Sequence, residues 1–195
     1  MKRNTFEFKQ WARWLGTFVG FPLAGVAARA VAGNIDTVGA AALGGLAGGA
    51  VLGAIQVGIG GIDAHQRMPW IAATAAGLAA GLTIGANTVD YRTDTASLVA
   101  MGAITGAMVG LAQALSVPMR MVDRVLWAVA TPALWAGGWL ISSQVITDAD
   151  RQHAMFGSSG ALAVSAVAGV LYAIRRRRTT STVSLVGSPS DRVAA

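Results

Sequence analysis

Residues 45–84 read GLAGGAVLGAIQVGIGGIDAHQRMPWIAATAAGLAAGLTI, and residues 102–141 read GAITGAMVGLAQALSVPMRMVDRVLWAVATPALWAGGWLI. Moving the first stretch from position 45 to 102, a shift of 57 residues with no gap, lays Gly45, Gly49, Gly53, Gln56, Arg67, Trp70, Thr74 and Gly81 on Gly102, Gly106, Gly110, Gln113, Arg124, Trp127, Thr131 and Gly138. Alanine matches count for little in so Ala-rich a chain, but Trp, Gln and Thr are scarce enough to carry weight. Each copy reads as an apolar helix with a glycine every fourth residue, a short polar turn, and a second apolar helix opening on Trp. A self-similarity of this kind decides the architecture before any other signal. The chain is built from helical hairpins.

Composition places those hairpins in a membrane. Of 195 residues, 54% are apolar and 12% charged, with a mean hydropathy of +0.55. A soluble domain carries about a quarter charged residues. Apolar runs approaching the roughly 20 residues needed to cross hydrocarbon recur along the chain. The formal charge is +6, but the basic residues gather at helix ends and termini, where they set topology and form no stripe for a nucleic acid. With no cysteine, neither disulfides nor thiolate metal sites arise.

The expected fold is all-α and integral to the membrane, about six transmembrane helices in a bundle of repeated parallel hairpins. Residues 1–13 read as a cytoplasmic N-terminal segment, 14–174 as the transmembrane domain with its internal repeat at 45–84 and 102–141, and 175–195 as a basic, disordered tail. The spans are expected near Trp14–Ala32, Val38–Ile62, Pro69–Val89, Ala96–Val117, Val125–Ile146 and Ala154–Ile174. Pro22 lies inside the first, and Pro132 removes a hydrogen bond inside the fifth and is expected to kink it. Ala30-Val31-Ala32 also looks like a signal-peptidase site. Glu7, the long leading segment and Arg29 just before the site favour a retained helix. Gly157, Ala161, Ser165 and Gly169 give the last span a small residue every fourth position, as in the first helix of a hairpin. Gly16, Thr17 and Gly20 echo Ala73, Thr74 and Gly77. The first and last helices are therefore expected to pair.

With the N-terminus inside, the inner segments hold twelve of the fifteen Lys and Arg residues, and the outer ones only Arg29, Arg92 and Arg151. The outer loops take Asp36, Asp90, Asp94, Asp148 and Asp150. Both termini are thus expected in the cytoplasm of a bacterial cell, the protein lying in the inner membrane. Consecutive hairpins then run in the same sense, unlike the inverted repeats of many ion-coupled carriers.

Candidate functional residues follow from this frame. Gly45, Gly49 and Gly53, and again Gly102, Gly106 and Gly110, put bare faces on two helices, so that a neighbouring backbone can approach closely. They serve either packing within the bundle or a partner interface. Ala79 reads as lipid-facing. Gln56 and Gln113 are the most polar residues well inside spans, and Thr74 and Thr131 lie at similar depth across each turn. The expectation is two buried polar pairs, Gln56 with Thr74 and Gln113 with Thr131, because a buried amide needs a partner in hydrocarbon. If the pairs are structural, Gln56→Leu should be nearly neutral; if they line a path for a small solute, it should abolish activity. Arg175, Arg176, Arg177 and Arg178 close the last span as a topology anchor and a site for anionic lipid headgroups. Thr179, Thr180, Ser181, Thr182 and Ser184 follow, where phosphorylation would weaken that attraction. No Asp, Glu, Lys or His lies mid-span, against the habit of proton- and cation-coupled carriers. His65 and His153 fall on opposite sides, Asp148 and Asp150 are too near water for a tuned acid–base pair, and no nucleophile or phosphate-binding motif is present. No catalytic residue, cofactor or metal is therefore expected.

The order Gly49, Gly53, Gln56, Trp70, Thr74, repeated as Gly106, Gly110, Gln113, Trp127, Thr131, resembles a loose group of small, uncharacterised bacterial multi-pass membrane proteins built from repeated hairpins. The resemblance covers about half the chain and implies fold and location, with no activity attached. The reading that follows is a non-enzymatic accessory or scaffold subunit of a larger membrane complex, such as a lipid or solute transporter; a small-solute channel or facilitator is the alternative. Its partners would be membrane lipids and another integral membrane protein or a second copy of itself, with no nucleic acid.

The charge distribution makes a direct prediction. In the cysteine-free background, cysteines placed at Asn34, Asp94 and Ala149 should react with an impermeant thiol reagent in intact cells, while one at Gly187 should not. Labelling at Gly187 with none at Asp94 would invert the topology.

Overall fold

A computed structural model of the chain describes residues 2–145 and 157–186, with side chains described for 8–145 and 157–176. Among the described residues every regular element is helical: α1 (Lys2–Gly16), α2 (Gly20–Ala32), α3 (Val38–Gly60), α4 (Arg67–Thr88), α5 (Thr95–Ser116), α6 (Met121–Ser143) and α7 (Ser158–Val186), with single 3-10 turns at Thr17–Val19 and Ala64–Gln66. Six helical stretches are long and apolar enough to cross a membrane: Phe8–Ala32, Val38–Gly60, Ala64–Thr88, Thr95–Ser116, Met121–Ser143 and Ser158–Arg176.

Local chemistry explains where the helices stop. Thr37 caps α3, its hydroxyl accepting from the Ala40 N–H at 3.2 Å, and Gly61 ends that helix at φ +79°, a left-handed conformation that glycine reaches without a Cβ penalty. Asp94 caps α5, accepting from the Ser97 N–H at 3.0 Å and from its hydroxyl at 2.6 Å. Those bonds to Ser97 hold the Asp94 carboxyl below its ordinary pKa. The cap is therefore fully formed above the usual carboxylate range and is lost as pH falls through the depressed value. The 3-10 turn at Thr17–Val19 sits just before Pro22, whose ring and missing N–H disturb the α-helical bond to Phe18 four residues back. α6 runs through Pro132 as one element.

Two segments differ from the sequence expectation. Residues 2–13 belong to α1 and continue into the first span, and from Gln10 onward they join the packing, since Gln10 is buried. α7 runs on through Arg175–Arg178 to Val186, past the start of the expected tail. No glycine or proline interrupts 170–186, and the first breakers are Gly187 and Pro189. Residues 187–195 of the expected tail, together with Asp148, Asp150, Arg151 and His153, lie outside the described residues.

The helices pack as a closed ring. Each lies against the next, α2 on α3, α3 on α4, α4 on α5, α5 on α6 and α6 on α7, and α7 returns to α1. Glycine lines these seams. A methyl group on Gly49 would fall 2.6 Å from the Ala75 Cα and 2.7 Å from the Thr74 carbonyl oxygen of α4. On Gly45 it would meet the Ala79 Cα at 2.5 Å, and on Gly53 the Ile71 Cα at 2.9 Å. The same geometry recurs between α5 and α6, where a methyl on Gly106 would lie 2.8 Å from the Thr131 carbonyl oxygen and 3.0 Å from the Pro132 Cα, while Gly110 faces Thr131 and Gly102 faces Trp139. All six ladder glycines therefore face neighbours within the chain. Ala79, expected to face lipid, is half-buried, and its backbone lies against Gly45.

Two further glycine faces complete the ring. Gly77, Gly81 and Gly85 of α4 meet Val109, Thr105 and Met101 of α5, and Gly160 of α7 meets Gly138 and Ser142 of α6.

Glycine thus separates into two classes with opposite expected behaviour. At Gly58 and Gly137 a methyl would meet nothing within 4 Å, so Gly58→Ala and Gly137→Ala should stabilise their helices by up to about 1 kcal/mol. Gly49→Ala and Gly106→Ala should destabilise, and the leucine variants should block assembly where Ala76→Leu, on an exposed position, does not. Unfolding in mild detergent reads the sign; the same sign at all four alanine variants would refute backbone-to-backbone packing.

Candidate functional site

The polar residues inside the spans converge on the ring's axis near its basic end. The indole N–H of Trp70 donates to Gln56 Oε1 at 2.9 Å, and that of Trp127 donates to Gln113 Oε1 at 3.1 Å. An indole is a donor only, so each tryptophan fixes which amide atom is the oxygen. Gln113 Nε2 then donates to Gln56 Oε1 at 3.2 Å and to Thr74 Oγ1 at 2.9 Å. Thr74 and Thr131 in turn donate to the carbonyls of Trp70 and Trp127, four residues back, at 2.8 and 2.7 Å. The result is one chain of hydrogen bonds, Trp70–Gln56–Gln113–Trp127, with Thr74 attached.

Gln56, Thr74, Gln113 and Thr131 are all at most 7% exposed, at the common level expected of them. Their pairing differs from the expectation. Each glutamine bonds the tryptophan that opens its own hairpin's second helix, and the single Gln–Thr bond crosses between hairpins. Equal depth is satisfied by either partner, and the indole, reaching further toward the axis, takes the amide oxygen. Trp70 and Trp127 are thus the site residues that the buried-pair expectation missed; their repeat at the same spacing as the glutamines is the signal that marks them.

A third tryptophan completes the layer. Trp14 of α1 lies edge-on to Trp70 and to Trp127 at ring-centroid distances of 6.1 and 5.7 Å, and Trp70 and Trp127 are 6.0 Å apart. Trp14 also stacks on Tyr172 of α7 at 4.3 Å. Edge-to-face contacts between large rings add about 0.5–1.5 kcal/mol each beyond their burial. Beside this layer the axis opens into a cavity of about 20 Å³, lined among others by Thr17, Gln56, Gln113, Trp127, Thr131 and Ser165.

Below the layer, side chains close the helix ends. The last carbonyls of α3 and its turn are taken by Arg13 (to Ile59, 3.0 Å), Gln10 (to Gly60, 2.7 Å) and Arg176 (to Gly61, 2.6 Å). Arg124 bonds the Ala114 carbonyl at 3.1 Å and Arg175 that of Pro118 at 3.3 Å. A helix leaves its final carbonyls without intrahelical donors, and cations there also meet the negative end of the dipole. Arg176 further pairs with Asp63 at 2.9 Å, and Arg120 pairs with the buried Asp123 at 2.9 Å. Of the arginines expected to bind lipid headgroups, Arg175 and Arg176 are thus engaged within the chain; the side chains of Arg177 and Arg178 lie outside the described residues.

At the opposite end a wider hollow of about 450 Å³ lies between the loops at Asn34–Asp36 and Tyr91–Asp94. Among the described residues no group of three His, Cys, Asp or Glu is placed to hold a metal ion. No protein-family model, curated protein or solved structure matches the chain.

The network reverses the expected effect of Gln56→Leu. Removing Gln56 leaves the Trp70 N–H and one Gln113 N–H without an acceptor, which costs about 1–3 kcal/mol for each buried orphan. Gln113→Leu should cost less, since it orphans only the Trp127 N–H, while Gln56 Oε1 keeps its bond from Trp70 and Thr74 keeps its bond to the Trp70 carbonyl. In a Trp70→Phe background Gln56→Leu should cost clearly less than in the parent, a non-additivity that a double-mutant cycle measures. Strict additivity would mean that the Trp70–Gln56 bond contributes nothing.

Proposed function

We propose that the chain is a non-enzymatic multi-pass protein of a bacterial inner membrane, crossing it six times with both termini in the cytoplasm, and that it serves as an accessory or scaffold subunit docked laterally on a larger membrane assembly such as a lipid or solute transporter. The observation that carries this reading is an axis closed except for a space of about 20 Å³. The buried glutamine oxygens are bonded to tryptophans, three rings close the axis beside them, and the described mid-span positions offer no ionisable group for coupling. What remains for interaction is the outer surface, where Leu23, Val26, Leu46, Val129 and Leu140 stand exposed.

Within this reading the units are three hairpins about one axis, α3 with α4, α5 with α6, and α7 with α1 and α2, each giving one tryptophan to the central layer. The contact of α1 with α7 and the near-equal separations of Trp14, Trp70 and Trp127 support that arrangement. Contact with anionic lipid falls to the basic end, at roughly 1 kcal/mol per arginine left free for the surface. A second reading, a facilitator for a small neutral solute, draws on the axial cavity and its polar lining.

Purification from native membranes in mild detergent, followed by native mass spectrometry, separates the two. A second integral membrane protein in fixed stoichiometry is the expected result. A lone protein or homo-oligomer that also speeds solute flux into liposomes would replace the scaffold reading with the facilitator.

A further inference from the structure

The axial cavity holds an unfinished set of hydrogen-bonding groups. Ser165 of α7 is 1% exposed, lines the cavity, and its hydroxyl has no hydrogen-bond partner in the protein. Gln56 uses its oxygen twice, for Trp70 and Gln113, while its amide nitrogen donates to no group in the protein. The amide cannot flip to cure this, because the Trp70 N–H requires the oxygen where it stands. The hydroxyl of Thr131 donates to the Trp127 carbonyl and keeps lone pairs to accept with. Donors and acceptors without partners thus border one space, contributed by α3, α6 and α7.

Volume selects what fits. About 20 Å³ exceeds the roughly 10–15 Å³ that a single water requires and leaves no room for a larger solute. A water also needs two to four polar partners, and this lining supplies donors in Gln56, an acceptor in Thr131, and either role in Ser165. We infer that the axial cavity is a built binding site for one water molecule, accepting from the Gln56 amide and bonded to Ser165, held inside the bundle next to the tryptophan layer. The site is neutral: its lining carries no ionisable side chain. It joins α7 to the polar network of the two repeats, an element that otherwise meets the layer through the apolar contacts of Ala168 and Gly169 and through Tyr172. The inference stands whether the protein acts as a scaffold or a facilitator.

The test uses the full chain in lipid bilayers, with water itself as the probe. Solid-state NMR with labelled glutamine side chains reads magnetisation transfer from water to each amide. Transfer to the Gln56 amide is expected at a rate that does not change when the bilayer surface is exposed to a paramagnetic relaxation agent. Ser165→Val fills the space with a second methyl and should abolish the transfer; Ser165→Ala, which removes one partner, should weaken it. If the valine variant fails to fold, the parent spectrum and the alanine variant decide. Absence of transfer in the parent, or transfer to Gln56 undiminished in Ser165→Ala, would overturn the site and leave the cavity dry.

Discussion

Where Gly49 meets Ala75 and Thr74, one helix backbone lies against the next with no room for a methyl group, and that approach sets the dimensions of the whole bundle. Between helices surrounded by lipid, burial of apolar surface offers little, since the tails outside are as apolar as the side chains within. Association then rests on close contact and on hydrogen bonds that lipid cannot replace. Bare glycine faces supply the first. They also draw the ring tight enough for side chains from α1, α3, α4, α5 and α6 to meet on one axis, which is the condition for the second.

The tryptophan–glutamine layer depends on that convergence. Gln113 reaches both Gln56 and Thr74, bonds that cross from one repeat to the other and exist only if α3, α4 and α5 approach together. Interhelical bonds of this kind contribute about 1 kcal/mol or less each in a membrane, because a helix left alone finds other partners. Their weight here lies in specificity. An indole N–H aimed at a fixed amide oxygen admits one rotation of each helix about its own axis, whereas a glycine face alone tolerates sliding. The cross-repeat bond has no mirror image: Gln113 donates to Thr74, and no equivalent bond joins Gln56 to Thr131. The sequence-equivalent glutamines thus meet different neighbours.

Much of the architecture is legible in the sequence. Glycine and proline punctuate the chain strongly enough to place the ends of α3, α4 and α5 within about two residues, the usual margin for such boundaries. The fourfold glycine spacing marks which face packs. What the spacing cannot say is which neighbour each face meets, and nothing in it marks the Ala79 backbone as the surface on which Gly45 lies. The ladder Gly77, Gly81, Gly85 carries the same fourfold signal, and it packs on α5. Gln56 and Gln113 are buried, yet depth along a helix fixes only one coordinate. Choosing Trp70 over Thr74 as the partner of Gln56 requires the angular position about each axis, and the sequence states that only modulo the pitch of the helix.

The arginines answer a question about orientation that packing alone leaves open. Six helices in a ring bring three C-termini to each end, so the helix dipoles favour cations at both ends equally. The carbonyls at the end of α3 are met by Arg13, Gln10 and Arg176, whereas at the other end α2 finishes on Gly33 and α4 folds its last turn through Asp90 and Tyr91, with Arg92 bonding the Val89 carbonyl. Capping can thus be done with or without arginine, and both solutions occur in this one chain. The concentration of arginine at a single end therefore has no sufficient cause in helix electrostatics. Under the proposed topology, the bias that retains Lys and Arg on the cytoplasmic side during insertion supplies that cause, and the caps then make use of cations confined there.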